Sequence, residues 1–133
     1  MRYLLDTNTV SALMRGEPSV AARVAGTPRE DIAISQVTAA EIEFGLHVLP
    51  ASRRRRTLEA QWSAIGPELN RLPWSDEVSR RFGERKARLE KAGRRMSDFD
   101  LAIGVHAMAY GLTLVTADRA FERLELRREN WLA

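Results

Sequence analysis

The chain has 133 residues, 44% of them hydrophobic, which is the size and composition of one domain with a real core. Cysteine is absent, so disulfides, thiolate zinc sites and cysteine nucleophiles are excluded. The net charge is +3, and nearly every cation is an arginine, since Lys86 and Lys91 are the only lysines; a modest basic excess suits a polyanionic partner without demanding one.

The start, Met1-Arg2-Tyr3-Leu4-Leu5-Asp6, meets an acid too early for a signal peptide. Tyr3 to Leu5 reads as a short strand ending at Asp6. Thr7 or Asn8 then caps a helix to about Arg15, ended by Gly16 and Pro18. A short helix covers Val20 to Val24, and Ile32-Ala33-Ile34 is a second buried strand. Ser35 caps a helix from about Val37 to Leu49, stopped by Pro50.

Ser52 to Ile65 reads as a helix with Leu58, Trp62 and Ile65 on one face, broken by Gly66-Pro67. Leu72-Pro73-Trp74 is a brief strand. Ser75 caps a long polar helix, Asp76 to Lys91, ended at Ala92-Gly93. Ser97 or Asp98 caps a helix from Phe99 to Tyr110, which is apolar almost all round and therefore buried. Gly111 ends it, Leu112 to Val115 is the clearest strand, and a short helix around Phe121 precedes a tail, Leu126 to Trp131. Trp131 is expected to pack that tail onto the sheet.

Strands alternating with helices predict one α/β domain over residues 1–133, with a parallel central sheet and helices on both faces. No apolar run approaches the ~18 residues a membrane helix needs, so a cytoplasmic protein is expected.

Four acids occupy comparable places in this pattern: Asp6, Glu41, Asp100 and Asp118. Function in an open parallel sheet gathers outside the carboxyl ends of the strands. Asp6 and Asp118 follow strands directly, and Glu41 and Asp100 lie near helix starts. Carboxylates gathered at one point repel, and without cysteine the partner that would hold them is a hard divalent cation, Mg²⁺ or Mn²⁺.

Each acid has a plainer structural role open to it. Asp6 suits a helix N-cap. Thr38-x-x-Glu41 and Ser97-x-x-Asp100 fit capping boxes, and Asp118 suits a turn. Against the box, Val37, Ala40, Glu41, Phe44 and Val48 share one helical stripe, which would set Glu41 in a buried apolar face, where a carboxylate needs a partner. Glu43 points the other way. Asp98 ranks second to Asp100, because two acids two residues apart on a helix cannot face one point.

No Gly-x-x-x-x-Gly-Lys-Ser/Thr loop and no Gly-x-Gly-x-x-Gly are present. The only histidines are His47 and His106, and His106 reads as a core residue.

In these segments the chain resembles the PIN-domain family, and specifically VapC-type toxins of type II toxin–antitoxin (VapBC) systems. The resemblance rests on Tyr3-Leu4-Leu5-Asp6-Thr7-Asn8, on Ala40-Glu41-Ile42-Glu43-Phe44-Gly45, and on Asp100-Leu101-Ala102-Ile103-Gly104-Val105-His106-Ala107. It continues in Gly111-Leu112-Thr113-Leu114-Val115-Thr116-Ala117-Asp118 and the tail Leu126 to Trp131. The order and spacing of these pieces span essentially the whole chain.

The resemblance implies a metal-dependent endoribonuclease acting on structured RNA such as transfer or ribosomal RNA. It implies inhibition by a cognate VapB-type antitoxin, a homodimer, and contact with operator DNA only through the antitoxin complex. Asp6, Glu41, Asp100 and Asp118 match the metal-binding, catalytic acids, with Asp98 as an auxiliary acid. Thr7, Asn8 and Thr116 match residues that orient metal, water or phosphate. A Glu-Phe pair often closely follows the last acid in this family; Ala120-Phe121 stands there here.

Two other readings compete. A phospho-acceptor receiver domain also has an acidic Mg²⁺ pocket, but Val115 is followed by Thr-Ala-Asp-Arg, without the lysine a receiver needs. A non-catalytic partner-binding module would keep the fold without turnover. For partners, the Val37–Leu49 and Ser52–Ile65 helices present Leu46, Leu49 and Trp62 either as a groove for an antitoxin helix or as ordinary core. The Arg53–Arg56 run is a candidate RNA contact.

Overall fold

A computed structural model describes residues 1–132; the last residue of the domain expected over 1–133 lies outside the described residues. Five strands form one sheet in the order β3-β2-β1-β4-β5, parallel throughout. They are β1 (Tyr3–Leu5), β2 (Ile32–Ile34), β3 (Asn70–Arg71), β4 (Thr113–Val115) and β5 (Arg128–Glu129). The helices are α1 (Thr7–Met14), α2 (Pro18–Ala25), α3 (Gln36–Val48), α4 (Arg53–Ile65), α5 (Asp76–Lys91) and α6 (Asp98–Ala109). The expected α/β architecture is the one observed.

Alternation along β1 divides the interior. Tyr3 and Leu5 face one core with Val10, Ile34, Ile42, Leu46, Trp62, Val115 and Trp131. Leu4 faces the other, with Val78, Leu89, Leu101, Ile103, Leu114 and Phe121. A strand buried on both faces reads as a continuous apolar run, which is why three-residue strands were visible at all. Trp131 does close the tail onto the sheet, edge-on to Tyr3 at 5.1 Å between ring centroids.

The helix starts follow the side-chain caps. Ser35, Ser52, Ser75 and Ser97 each accept a backbone N–H in the first turn of α3, α4, α5 and α6. For α1 the cap is Asp6 itself, not Thr7 or Asn8. The third strand also differs from expectation. It pairs through Asn70 and Arg71 rather than starting at Leu72, because Pro73 has no N–H to donate. Asn70 is polar but earns its place by bonding the Arg29 and Ile32 carbonyls through its amide.

β1 is the centre of the sheet, and the chain leaves it toward β2 on one side and β4 on the other. In an open parallel sheet that reversal is where ligands are received, here at the carboxyl ends of β1 and β4. Asp6 ends β1, and Thr116 to Asp118 follow β4 directly.

Candidate active site

Asp6 is buried, 4% exposed, and doubly employed. Its backbone N–H donates to the Val115 carbonyl, tying the end of β1 to the end of β4. One carboxylate oxygen accepts the Thr9 N–H as the α1 cap. The other oxygen has no such duty. Thr9, also buried, donates its hydroxyl to the Val115 carbonyl at 3.1 Å. Thr9 therefore clamps Asp6 between the two strands, a role that sequence reading missed; its only signal was its place three residues after a cap.

Asp118 mirrors Asp6. Its N–H donates to the Thr116 hydroxyl, and one of its oxygens accepts the Ala120 N–H. Thr116 is buried and bonds β5 through its own N–H to the Glu129 carbonyl. Thr116 so acts on the backbone that carries Asp118.

Asp100 lies in the first turn of α6, its N–H donating to the Ser97 hydroxyl. Burial pushes its carboxyl above the ordinary value; the Ser97 contact lowers it in part, and Asp118 and then Asp6 raise it again. Asp118 and Asp6 both act through charge on the Asp100 carboxyl, so residues from three different segments lie near enough to interact there.

Glu41 reaches the same end of the sheet by a different route from the one expected. The capping box with Thr38 does not form: Thr38 is buried inside α3, and its hydroxyl has no partner among the described residues. Nor is Glu41 set in a buried apolar face. Phe44 is 70% and Val48 63% exposed, and the core side of α3 is Thr38, Ile42 and Leu46. The sequence holds two apolar rows along α3; the Ile42–Leu46 row joins the first core, and of the other row Val37 packs against the second while Phe44 and Val48 stay outside. What holds Glu41 is Thr7, whose hydroxyl donates to its carboxylate. Glu43 instead accepts the Trp62 indole N–H from α4.

Asn8 is exposed at the second position of α1. Asp98 does not join the acids through any contact seen; it is well exposed and pairs with Lys86 of α5 at 3.0 Å. His106 is a core residue, 1% exposed, bonded through Nε2 to the Pro73 carbonyl. Of the two readings open for Leu46 and Trp62, groove or core, both take the core one: each is buried. A hollow of about 530 Å³ does lie between α3 and α4, but its walls include Gln36, Glu43, Trp62 and Arg71, not Leu46 or Leu49.

The donor set is all oxygen, which suits a hard cation. Among the described residues, no three His, Asp or Glu side chains stand close enough to grasp one ion as they are placed. Among the described residues, no helix is long and apolar enough to cross a membrane.

A family model described as PIN domain matches residues 3–126. The chain is 31% identical to ribonuclease VapC2 of Haemophilus influenzae over 137 aligned positions, 99% of each chain. It is 27% identical to the tRNA(fMet)-specific endonuclease VapC of Shigella flexneri, over 98% of each. Among solved structures, VapBC2 from Rickettsia felis bound to a DNA fragment from their promoter aligns with a TM-score of 0.85. That alignment covers 98% of this chain and 99% of the other, at 27% identity.

Proposed function

The chain belongs to the PIN domain family, and on that footing we propose that it is a VapC-type endoribonuclease toxin, hydrolysing phosphodiester bonds of structured RNA such as transfer or ribosomal RNA. The observation that carries this reading is the Asp100 carboxyl, half-buried and repelled by Asp118 and Asp6 at the switch point of the sheet. The naming of full-length relatives as VapC ribonucleases supports it. The VapBC complex on promoter DNA supports the partners: a VapB-type antitoxin that inhibits the toxin, and operator DNA reached through that antitoxin.

Asp6, Glu41, Asp100 and Asp118 are the residues that would hold Mg²⁺ or Mn²⁺. When bound, such an ion supplies a water of lowered pKa and offsets charge on the scissile phosphate. The protein's own part is positional. Thr7 aims the Glu41 carboxylate, Thr9 fixes Asp6, and Thr116 fixes the turn that carries Asp118. Asn8, exposed at the start of α1, is free to meet a phosphate. Asp98 acts one step back, through its pair with Lys86.

The test is cleavage of total transfer RNA by antitoxin-free protein in Mg²⁺, Mn²⁺ and EDTA, beside Asp100→Asn. Discrete fragments that need both the ion and Asp100 are expected. Full cleavage by Asp100→Asn would remove the site assignment, and full cleavage in EDTA would remove the metal. Tight RNA or partner binding with no cleavage of any RNA would favour the non-catalytic module.

A further inference from the structure

The loop that leads into Asp100 carries two arginines that no acid answers. α5 ends in a tight closure at Gly93, whose φ of 69° is open to glycine at little cost. Gly93 N–H donates to the Glu90 carbonyl and Arg94 N–H to the Leu89 carbonyl, the paired bonds of a Schellman motif. Three residues further on, Ser97 caps α6. Met96 packs against the second core between them, and the Lys86–Asp98 pair ties the two helices together. The loop backbone is thus held at both ends and in the middle.

Arg94 and Arg95 are exposed on this held loop. Among the described residues, neither side chain makes an ion pair or donates a hydrogen bond, whereas Arg81, Arg88 and Lys86 are answered by Glu77, Glu84 and Asp98. An acidic site by itself repels a polyanion. Cations fixed beside it, on a backbone that loses little entropy when they engage, reverse that for the chain of phosphates.

We propose that Arg94 and Arg95 clamp the RNA backbone beside the scissile bond and so position it over Asp100. This rests on the ribonuclease reading above. The contacts are to phosphate, so they fix register and add no base preference. Of the two basic segments, the 94–95 loop and not the Arg53–Arg56 run does this work, because Arg95 stands five residues before Asp100 in the first turn of α6, whereas Arg53 lies twelve residues beyond Glu41, past the last turns of α3.

The experiment compares wild type, Arg94→Gln/Arg95→Gln, Arg94→Lys/Arg95→Lys and Arg53→Gln/Arg54→Gln. Binding of total transfer RNA is measured in EDTA across a range of KCl, and cleavage is followed in Mg²⁺. For the glutamine pair, KM rises roughly three- to tenfold with kcat within about twofold. The slope of log affinity against log salt falls by about 1.4 to 2, roughly one unit or slightly less per lost phosphate contact. The lysine pair restores the slope. The Arg53/Arg54 pair leaves KM and slope near wild type. If wild type binds and cleaves RNA but the glutamine pair keeps its KM and slope, the clamp is wrong and the ribonuclease stands. If wild type neither binds nor cleaves RNA, both fall together.

Discussion

Asp6 performs two jobs with two oxygens, and substitution can separate them. One oxygen caps α1, which leaves the other for the ion that the proposed reaction needs. Asparagine caps as well as aspartate but cannot supply the charge. Asp6→Asn is therefore expected to fold with near wild-type stability while RNA cleavage falls at least about a hundredfold, as for loss of a preorganised electrostatic group. Asp6→Ala loses the cap as well, at about 1 kcal/mol. Urea unfolding and cleavage measured on both variants check this; equal stability losses would mean that the cap is incidental. The sequence offered Asp6 as a candidate site residue because it directly follows a strand. It left the cap open among Asp6, Thr7 and Asn8, which suit it equally by type, and the extended backbone at residue 6 chose between them.

At the scale of elements, α6 is the spine of the second core, and its buried face sets two expectations. A Cβ added at Gly104 would lie 2.3 Å from Leu124 Cδ1, with Phe121 close behind. Alanine gains about 1 kcal/mol of helix propensity over glycine, but overpacking costs about 1 to 3 kcal/mol. Leu124 and Phe121 are both buried and have little room to turn aside. Gly104→Ala should thus lose about 1 kcal/mol net in urea unfolding, and a gain would show that Leu124 moves freely.

His106, two residues on, is held below its ordinary value of 6.5 by burial, with the Pro73 carbonyl pulling it partly back. Among the described residues its Nδ1 has no hydrogen-bond partner to welcome a second proton. Above about pH 6.5 both folded and unfolded states keep the imidazole neutral. Below it the unfolded chain takes the proton first, so stability falls until the pH passes the depressed folded value. The stability gap between wild type and His106→Gln should shrink between about pH 7.5 and about pH 5; a constant gap would deny the linkage.

Elements were legible where chemistry was local. Serine caps gave the starts of α3 and α5, Ser97 was one of two candidates for α6, and apolar runs gave the central strands. Elements defined by a partner were not. Asn70–Arg71 and Arg128–Glu129 are strands because β2 and β4 offer free edges, not because of their side chains. The buried face of α3 was misjudged for the same reason: either apolar row would have served, and the sheet selected Ile42 and Leu46.

For the whole molecule, the row that the sheet rejected has a consequence. Phe44 and Val48 stand 70% and 63% exposed on the outer side of α3, one and two turns beyond Glu41. Burying a phenylalanine contributes about 1.5 to 3 kcal/mol, and these two leave that unused in a single chain. A second copy of the chain is the occupant that the expected homodimer supplies, and a two-fold axis there would bring the same patch against itself. Wild type should then scatter light as twice the 15.0 kDa of one chain. Its thermal midpoint should rise with concentration, as mass action requires when dimer formation stabilises the fold. Phe44→Glu places a charge against its own symmetry mate, so the variant should be a monomer whose midpoint no longer depends on concentration. Because Phe44 touches neither core, the monomer should stay folded. A dimeric Phe44→Glu would move the interface elsewhere and leave the exposed row of α3 for a different partner.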